Sequence, residues 1–262
     1  AAGGGKCVVL AHPGLQRERA LTARGRWGED LGGLFRTAGD LGTTARDLEV
    51  MAAETPYVHR ELGALGAAAG RGLVRCAEAC AEALGKPGLR GLRVLVQGAG
   101  TIGSAAARAF HAAGAELWLS DLDAARADAL AAELGATVVA PEDALRADVD
   151  LLSPCAVGGV VTAAVAHELR ARALCGGANN LLASAEADAV LLARGIVHVP
   201  DLLASAGAVI AGIGRTVMGL PDPMPLVDAL GDTAQKLLRR VRATGTPALT
   251  VAHAMAHERL GH

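Results

Sequence analysis

The stretch Val94-Leu95-Val96-Gln97-Gly98-Ala99-Gly100-Thr101-Ile102-Gly103 decides the fold. Its first four residues carry no charge and read as a buried strand, and Ser104 to Ala113 reads as a helix. Between them Gly98, Gly100 and Gly103 have the spacing of a phosphate-cradling turn. The first glycine makes the tight turn, the second lets the backbone approach a pyrophosphate, and the third lets the helix pack on the strand. The helix start offers Thr101 and Ile102 with free N–H groups and a partial positive charge for an anion. Gly-rich turns are common in a chain with 34 glycines, so the weight comes from context: a strand before, a helix after, and an acid about twenty residues on. That acid is Asp121, at the end of the strand Leu117-Trp118-Leu119-Ser120. A carboxylate there accepts hydrogen bonds from both ribose hydroxyls and repels a 2′-phosphate, so the expected cofactor is NAD and not NADP. Asp123 is a second acid able to share the role, and the plainer alternative is that Asp121 caps the next helix.

Outward from this turn the chain alternates β-branched strands with alanine-rich helices. Strands are expected at Arg93–Gln97, Glu116–Ser120, Thr137–Val139, Val149–Leu152, Ala173–Gly176 and Ile196–Val199. This rhythm predicts an α/β fold, a Rossmann-like doubly wound parallel sheet with helices on both faces. After Pro200 the pattern turns helical, with helices expected near Leu202–Met218, Pro225–Ala243 and Ala248–Leu260. Before the glycine turn, Ala67 to Leu84 reads as a helix ended by Gly85-Lys86-Pro87-Gly88. Earlier still, Cys7-Val8-Val9-Leu10-Ala11 reads as a buried strand, Leu34 to Ala38 as another, and Thr44-Ala45-Arg46-Asp47 as a capping box that starts a helix. The expected division is a partial second α/β domain over residues 1–66, a dinucleotide-binding domain over 67–204, and C-terminal helices over 205–262 that return toward the first domain.

Composition bounds the function classes. The chain has 262 residues, a formal net charge of −2 and 52% hydrophobic residues, as expected of a globular protein of one or two cores. Acids and bases are interspersed and form no basic stripe, so nucleic acid is not an expected partner and small ligands are. No apolar run reaches the roughly 18 residues of a membrane span, and Ala1 to Lys6 lack the regions of a signal peptide. Membrane association is not expected, and a cytoplasmic location is the default. Cys7, Cys76, Cys80, Cys155 and Cys175 sit in apolar segments without disulfide or metal-knuckle spacing and read as buried thiols. His253 and His257 stand one helical turn apart, but the glutamate of a zinc-protease helix is missing, so they read as helix-surface residues and no metal is expected.

Six segments in order carry a resemblance to a known family: Gly3-Gly4-Gly5-Lys6, Gly39-Asp40-Leu41-Gly42-Thr43-Thr44, the Gly98 turn, Ser153-Pro154-Cys155-Ala156, Gly177-Ala178-Asn179-Asn180, and Arg194-Gly195-Ile196 with Pro200-Asp201. The chain resembles the leucine and phenylalanine dehydrogenase branch of the glutamate/leucine/phenylalanine/valine dehydrogenases. The resemblance implies NAD-dependent oxidative deamination of an apolar L-amino acid, its reverse, and a homo-oligomer in the full-length form. It implies that Lys6 is the catalytic base and that Asp40 handles protons at the amino group. A free lysine has a pKa of about 10.4, which loss of water and positive neighbours lower to roughly 7–8, a range suited to a base. Taken alone, Lys6 reads as a solvated lysine after a flexible glycine run, and Asp40 as a turn residue. Implied cofactor contacts are Gly98, Gly100, Thr101, Ile102, Gly103, Asp121, Leu122, Cys155, Ala156 and Asn179. Implied substrate contacts are Gly5, Asn180, Ser205, Val209 and Gly212, the last two facing the substrate side chain. For Asn179 and Asn180 a simple turn is the alternative, and for Gly212 it is a close approach of two helices.

The resemblance also marks departures. Members of the family are longer at the N-terminus, where a sheet and a second, carboxylate-clamping lysine are expected. Where relatives carry Asn-Ala-Gly-Gly, this chain has Ser205-Ala206-Gly207-Ala208, and where they carry Ser-Pro-x-Thr it has Gly66-Ala67-Ala68-Ala69. Each lost polar contact costs about 0.5–1.5 kcal/mol. These losses leave open a second reading, a catalytically degenerate NAD-binding homologue with a regulatory or assembly role. An NAD-dependent oxidoreductase acting on another substrate class is a third.

Overall fold

A computed structural model describes residues 5–40, 42–60 and 62–261, with only the backbone of Leu62. Gly3 and Gly4 of the first motif and Leu41 of the second lie outside the described residues. The chain divides into two compact units, one ending at Ala64 and the other beginning at Leu65.

The second unit holds the sheet. Its strands are β1 (Arg93–Gln97), β2 (Glu116–Ser120), β3 (Thr137–Val138), β4 (Leu151–Pro154), β5 (Ala173–Leu174) and β6 (Val197–His198). All pairings are parallel, in the order β3-β2-β1-β4-β5-β6. This is the doubly wound order whose direction reverses between β1 and β4, leaving a crevice outside their carboxyl ends. Alternate residues serve opposite faces. Val94, Val96, Leu117, Leu119, Leu151 and Ala173 join one core cluster, whereas Leu95, Leu152 and Leu174 join the other. Burial on both faces is why these strands are near-continuous apolar runs.

The first face is covered by α3 (Leu62–Ala83), α4 (Thr101–Ala112), α5 (Ala124–Leu134) and the C-terminal helices α8 (Asp201–Ala204), α10 (Met224–Asp228) and α11 (Leu230–Thr244). The opposite face packs α6 (Ala163–Glu168) and α7 (Ala185–Ala193). The remaining helices are α9 (Ala206–Thr216) and α12 (Ala248–Leu260). Small residues allow close contact where helices cross: a Cβ on Gly70 would lie 2.7 Å from the Ala105 carbonyl oxygen, and one on Gly207 would lie 2.3 Å from that of Ala68. Among the described residues no helix is long and apolar enough to cross a membrane.

Two expected long helices are each interrupted. At Ser205 the hydroxyl donates to the Asp201 carbonyl, 2.7 Å away and four residues back, a bond that bends helices, and α8 gives way to α9. A second break at Ala229 separates α10 from α11. The four cysteines of the second unit are buried as expected. Hydrogen bonds to the thiols of Cys76 and Cys80, together with burial, hold the Cys175 thiol well above its ordinary range, which keeps it a protonated core group.

The first unit contains α1 (Arg17–Asp30) and α2 (Ala45–Ala52), packed through Leu21, Leu48 and Met51. The capping box exists: Thr44 Oγ1 accepts from Asp47 N–H while the Asp47 carboxylate accepts from Thr44 N–H. The strand expected at Cys7–Ala11 does not form, and Val8 and Leu10 are about 80% exposed. A strand needs a backbone partner, and within this unit the described pairing is a single bridge between Thr37 and Val58. The same bridge is all that forms of the strand expected at Leu34–Ala38, and Leu34 is exposed. Cys7 is correspondingly exposed, correcting its reading as a buried thiol.

Candidate functional site

The candidate residues fall into two groups, one in each unit. In the second unit they gather at the carboxyl ends of successive strands. Gly98 leaves β1 at φ 101° and passes so close to the start of the 155–159 loop that a Cβ would sit 2.8 Å from the Ala156 Cβ. Gly103 has still less room, since a Cβ would lie 1.7 Å from the Gly98 carbonyl oxygen. Gly100 differs from both. It caps α4 with φ −72°, no side chain satisfies the first N–H groups of the helix, and a Cβ there would meet nothing within 4 Å. A helix start with uncapped donors facing open space is a ready anion site.

Asp121 follows β2 directly, beside this turn. Its Oδ2 accepts from Ala99 N–H at 2.5 Å and its Oδ1 from Asp123 N–H at 2.8 Å. The carboxylate is therefore anchored to the phosphate turn itself. The cap of α5 is Asp123, which accepts from Arg126 N–H, so the plain capping alternative for Asp121 falls to its neighbour. Leu122 is 92% exposed next to it. Two buried polar atoms at these strand ends, Gln97 Oε1 and Ser120 Oγ, lack a protein partner among the described residues. The glycine cradle, the uncapped helix and the anchored acid together fit a dinucleotide.

After β4, Ala156 is exposed, whereas Cys155 is buried with its sulfur 3.7 Å from Ser153 Oγ. Burial holds the Cys155 thiol above its ordinary value. It backs the turn as a neutral group together with Gly177, whose Cβ would strike Ile102 Cγ2 at 2.8 Å. After β5 the turn carrying Asn179 and Asn180 exposes both. Asn180 has φ 54°, a left-handed conformation that asparagine tolerates better than most residues. What holds it is Asp201, whose carboxylate accepts from Asn180 N–H at 2.8 Å and Leu181 N–H at 3.3 Å. Ser205 Oγ also lies 3.2 Å from Asn179 Oδ1, the longer of two contacts that compete for its one hydroxyl proton. For the role of Asp201 the sequence offers one signal, the Pro200-Asp201 pair. On α9, Val209 is 60% exposed and a Cβ on Gly212 would lie 3.4 Å from Leu65 Cδ2, an ordinary contact. The close approach of α9 to α3 occurs at Gly207, so Gly212 is not needed for it.

In the first unit Lys6 Nζ donates to Asp40 Oδ2. The two residues implied by motif alone, 34 apart in sequence, are thus brought together. The loop carrying Asp40 is fixed by Arg17, which reaches the Gly42 carbonyl oxygen at 2.6 Å and forks onto the Asp47 carboxylate at 2.6 and 2.8 Å. That guanidinium holds the Asp47 carboxyl far below the usual carboxylate range. Gly5 packs against the ring of Phe35. The lysine is 65% exposed and its neighbour is an acid, so the dry, positive surroundings expected of a lysine base are not supplied by this unit's described residues.

Comparison with known proteins places this geometry. The family model described as glutamate/leucine/phenylalanine/valine dehydrogenase matches residues 64–124 and 119–213. The chain is 31% identical to a leucine dehydrogenase of Thermoactinomyces intermedius, over 98% of this chain and 73% of that protein. It is 30% identical to an L-tryptophan dehydrogenase of Nostoc punctiforme, over 100% of this chain and 76% of the relative. The crystal structure of L-tryptophan dehydrogenase from Nostoc punctiforme superposes with a TM-score of 0.77 at 28% identity, covering 93% of this chain and 72% of that one.

Proposed function

The chain belongs to the glutamate/leucine/phenylalanine/valine dehydrogenase family, and from that premise we propose that it carries out NAD-dependent oxidative deamination of an apolar L-amino acid to its 2-oxo acid and ammonia, and the reverse. The observation that carries the reading is the phosphate turn at Gly98–Gly103, opening α4 at the switch point with Asp121 anchored to it. Gly98, Gly100, Thr101, Ile102 and Gly103 would hold the pyrophosphate, Asp121 and Leu122 the adenosine ribose, and Cys155, Ala156 and Asn179 the nicotinamide half. When bound, the cofactor accepts the hydride from Cα of the amino acid.

The chain's own residues handle protons and position. Lys6 removes a proton from the water that adds to the imine carbon, and Asp40 takes and returns protons at the amino nitrogen. The contact between Lys6 Nζ and Asp40 Oδ2 supports the pairing of the two roles, with Asp40 taking the ammonium proton that Lys6 must lose to act as base. Gly5, Asn180 and Ser205 bind the substrate's polar end, and Val209 and Gly212 its side chain. Homo-oligomeric assembly belongs to the same proposal; one structural neighbour, from Thermus thermophilus, is a hetero-hexameric glutamate dehydrogenase.

The test is turnover with NAD on valine, leucine, phenylalanine, tryptophan and glutamate. Bulky apolar substrates are expected to lead, since Val209 is exposed and the other residue assigned to the substrate side chain, Gly212, carries none of its own. One methylene of fit is worth only about 1–3 kcal/mol, so leucine is expected to be accepted too. Gly212→Val is expected to shift preference toward smaller substrates. Preference for glutamate, unchanged in that variant, would remove both residues from the pocket, and NAD binding without turnover of any amino acid would favour the degenerate homologue.

Cofactor choice gives a separate expectation. Asp121→Ser is expected to narrow the preference for NAD over NADP at least about tenfold, the ~1.4 kcal/mol of one relieved like-charge contact. Titration of both cofactors by fluorescence decides it, and an unchanged ratio would take Asp121 out of cofactor selection.

A further inference from the structure

A cleft of about 460 Å³ opens in the second unit, lined by the last turns of α3, by α7, by the start of β6 and by α11. No residue of the glycine turn, the 155–159 loop or the Asn179–Leu181 turn lines it. The volume is that of a small-molecule site. On α11 the lining residues Gln235, Leu238, Arg239 and Arg242 are spaced i, i+3, i+4, i+7, which puts them on one helix face. Leu192, Ile196 and Leu238 make the wall apolar.

The polar groups of the cleft are unequally occupied. Glu82 accepts from Gln235 Nε2 at 2.6 Å. Asp188 is buried with both oxygens in use, one 2.8 Å from His198 Nδ1 and the other accepting from Leu249 N–H at 2.7 Å. Arg239 and Arg242 are exposed, and neither makes an ion pair or hydrogen bond among the described residues, whereas Arg240 between them pairs with Glu258 at 2.7 Å. His198, almost wholly buried in the wall, has an Nε2 without a partner among those residues. Asp188 thus has both oxygens in use and Glu82 holds Gln235, whereas Arg239 and Arg242 are free next to an aliphatic wall.

We propose that this cleft is a second small-molecule site that binds an apolar monocarboxylate, its carboxylate held by Arg239 and Arg242 and its hydrocarbon body against Leu192, Ile196 and Leu238. A planar guanidinium meets a carboxylate through two parallel hydrogen bonds, and two of them on adjacent turns select an anionic head on an apolar tail over a neutral one. The site borders β6, the strand that runs on to Asp201 and so to the turn holding Asn180.

Calorimetric titration of the full chain with 4-phenylbutyrate, and with its uncharged amide, tests this. Saturable binding of the acid is expected, with the amide at least about tenfold weaker, or ~1.4 kcal/mol. The double variant Arg239→Gln/Arg242→Gln is expected to lose at least as much. Both arginines are exposed, so that variant keeps its fold; Ala83→Trp, which fills the cleft from the end of α3, is an independent second loss. Gly100→Ala is expected to bind the probe as the wild type does, because the phosphate turn is not part of this site. Absence of saturable binding up to about 10 mM, equal affinity for the amide, or binding unaffected by the arginine and Ala83 variants would each overturn the proposal. So would loss of binding in Gly100→Ala, which would locate the probe in the dinucleotide crevice instead.

Discussion

Lys6→Ala is expected to lower kcat at least about a hundredfold, the low end of what a positioned acid or base contributes, while leaving NAD affinity and melting temperature near wild type. The separation follows from where Lys6 sits. Its side chain is 65% exposed and packs into no core cluster, so its loss removes little buried surface. The glycine turn and Asp121 belong to the other unit, so the cofactor site is built without it. Asp40→Asn keeps the size of the side chain and its contact with Lys6 but removes the charge and the ability to take a proton, and is expected to fall by a similar factor. In a double variant the two losses are not expected to multiply, since residues acting as one proton path are non-additive. Steady-state kinetics on the best amino-acid substrate decides it. If Lys6→Ala retains turnover within about threefold of wild type, well short of a general acid–base effect, the lysine is a solvated surface residue.

How much of this was legible before the structure depends on what each residue's neighbours had to be. Val94-Leu95-Val96 and Leu117-Trp118-Leu119 declare buried parallel strands because both of their faces are covered, which leaves no room for polar alternation. The glycine turn is legible because the crowding at Gly103 comes from Gly98 in the same turn and Gly98 itself has a positive φ that favours glycine. Cys7–Ala11 has the same apolar character and forms no strand, because a strand is completed by a partner elsewhere and local composition does not report it. The role of Asp201 is illegible for a related reason. Its importance lies in accepting from Asn180 and Leu181, about twenty residues back in sequence, a pairing that only the adjacency of β5 and β6 creates. Cys155 shows the converse. Its motif is legible, but the direction of its thiol, into the core behind the turn, depends on packing against Gly177 and Ser153. The helix breaks at Ser205 and Ala229 were hidden because neither residue is a strong breaker, and the first rests on a side-chain bond back to the Asp201 carbonyl.

Gly100→Ala and Gly103→Ala, three residues apart and chemically the same substitution, are expected to fail in different ways. At Gly103 the added methyl would lie 1.7 Å from the Gly98 carbonyl oxygen and 2.7 Å from its carbon. Backbone on one side and α4 on the other cannot both stay in place, so the helix must lift from β1. Overpacking of this kind costs about 1–3 kcal/mol and occasionally more, so the variant is expected to melt several degrees lower and to lose cofactor binding as well. At Gly100 the backbone has φ −72°, which alanine adopts without strain, and the methyl would enter open space. Stability is therefore expected to stay within about 0.5 kcal/mol of wild type, as for substitutions away from packed features. The methyl occupies the space in front of the uncapped N–H groups of α4, where the pyrophosphate has to approach the backbone. NAD affinity is expected to fall at least about a hundredfold, which is ~2.7 kcal/mol. Thermal melts with and without NAD, alongside a binding titration, distinguish the cases: Gly103→Ala starts low, and Gly100→Ala starts at the wild-type temperature but loses the upward shift that ligand binding to the native state produces. A Gly100→Ala protein that still gains its full shift with NAD would mean that the open space at this turn is not where the cofactor's phosphates lie.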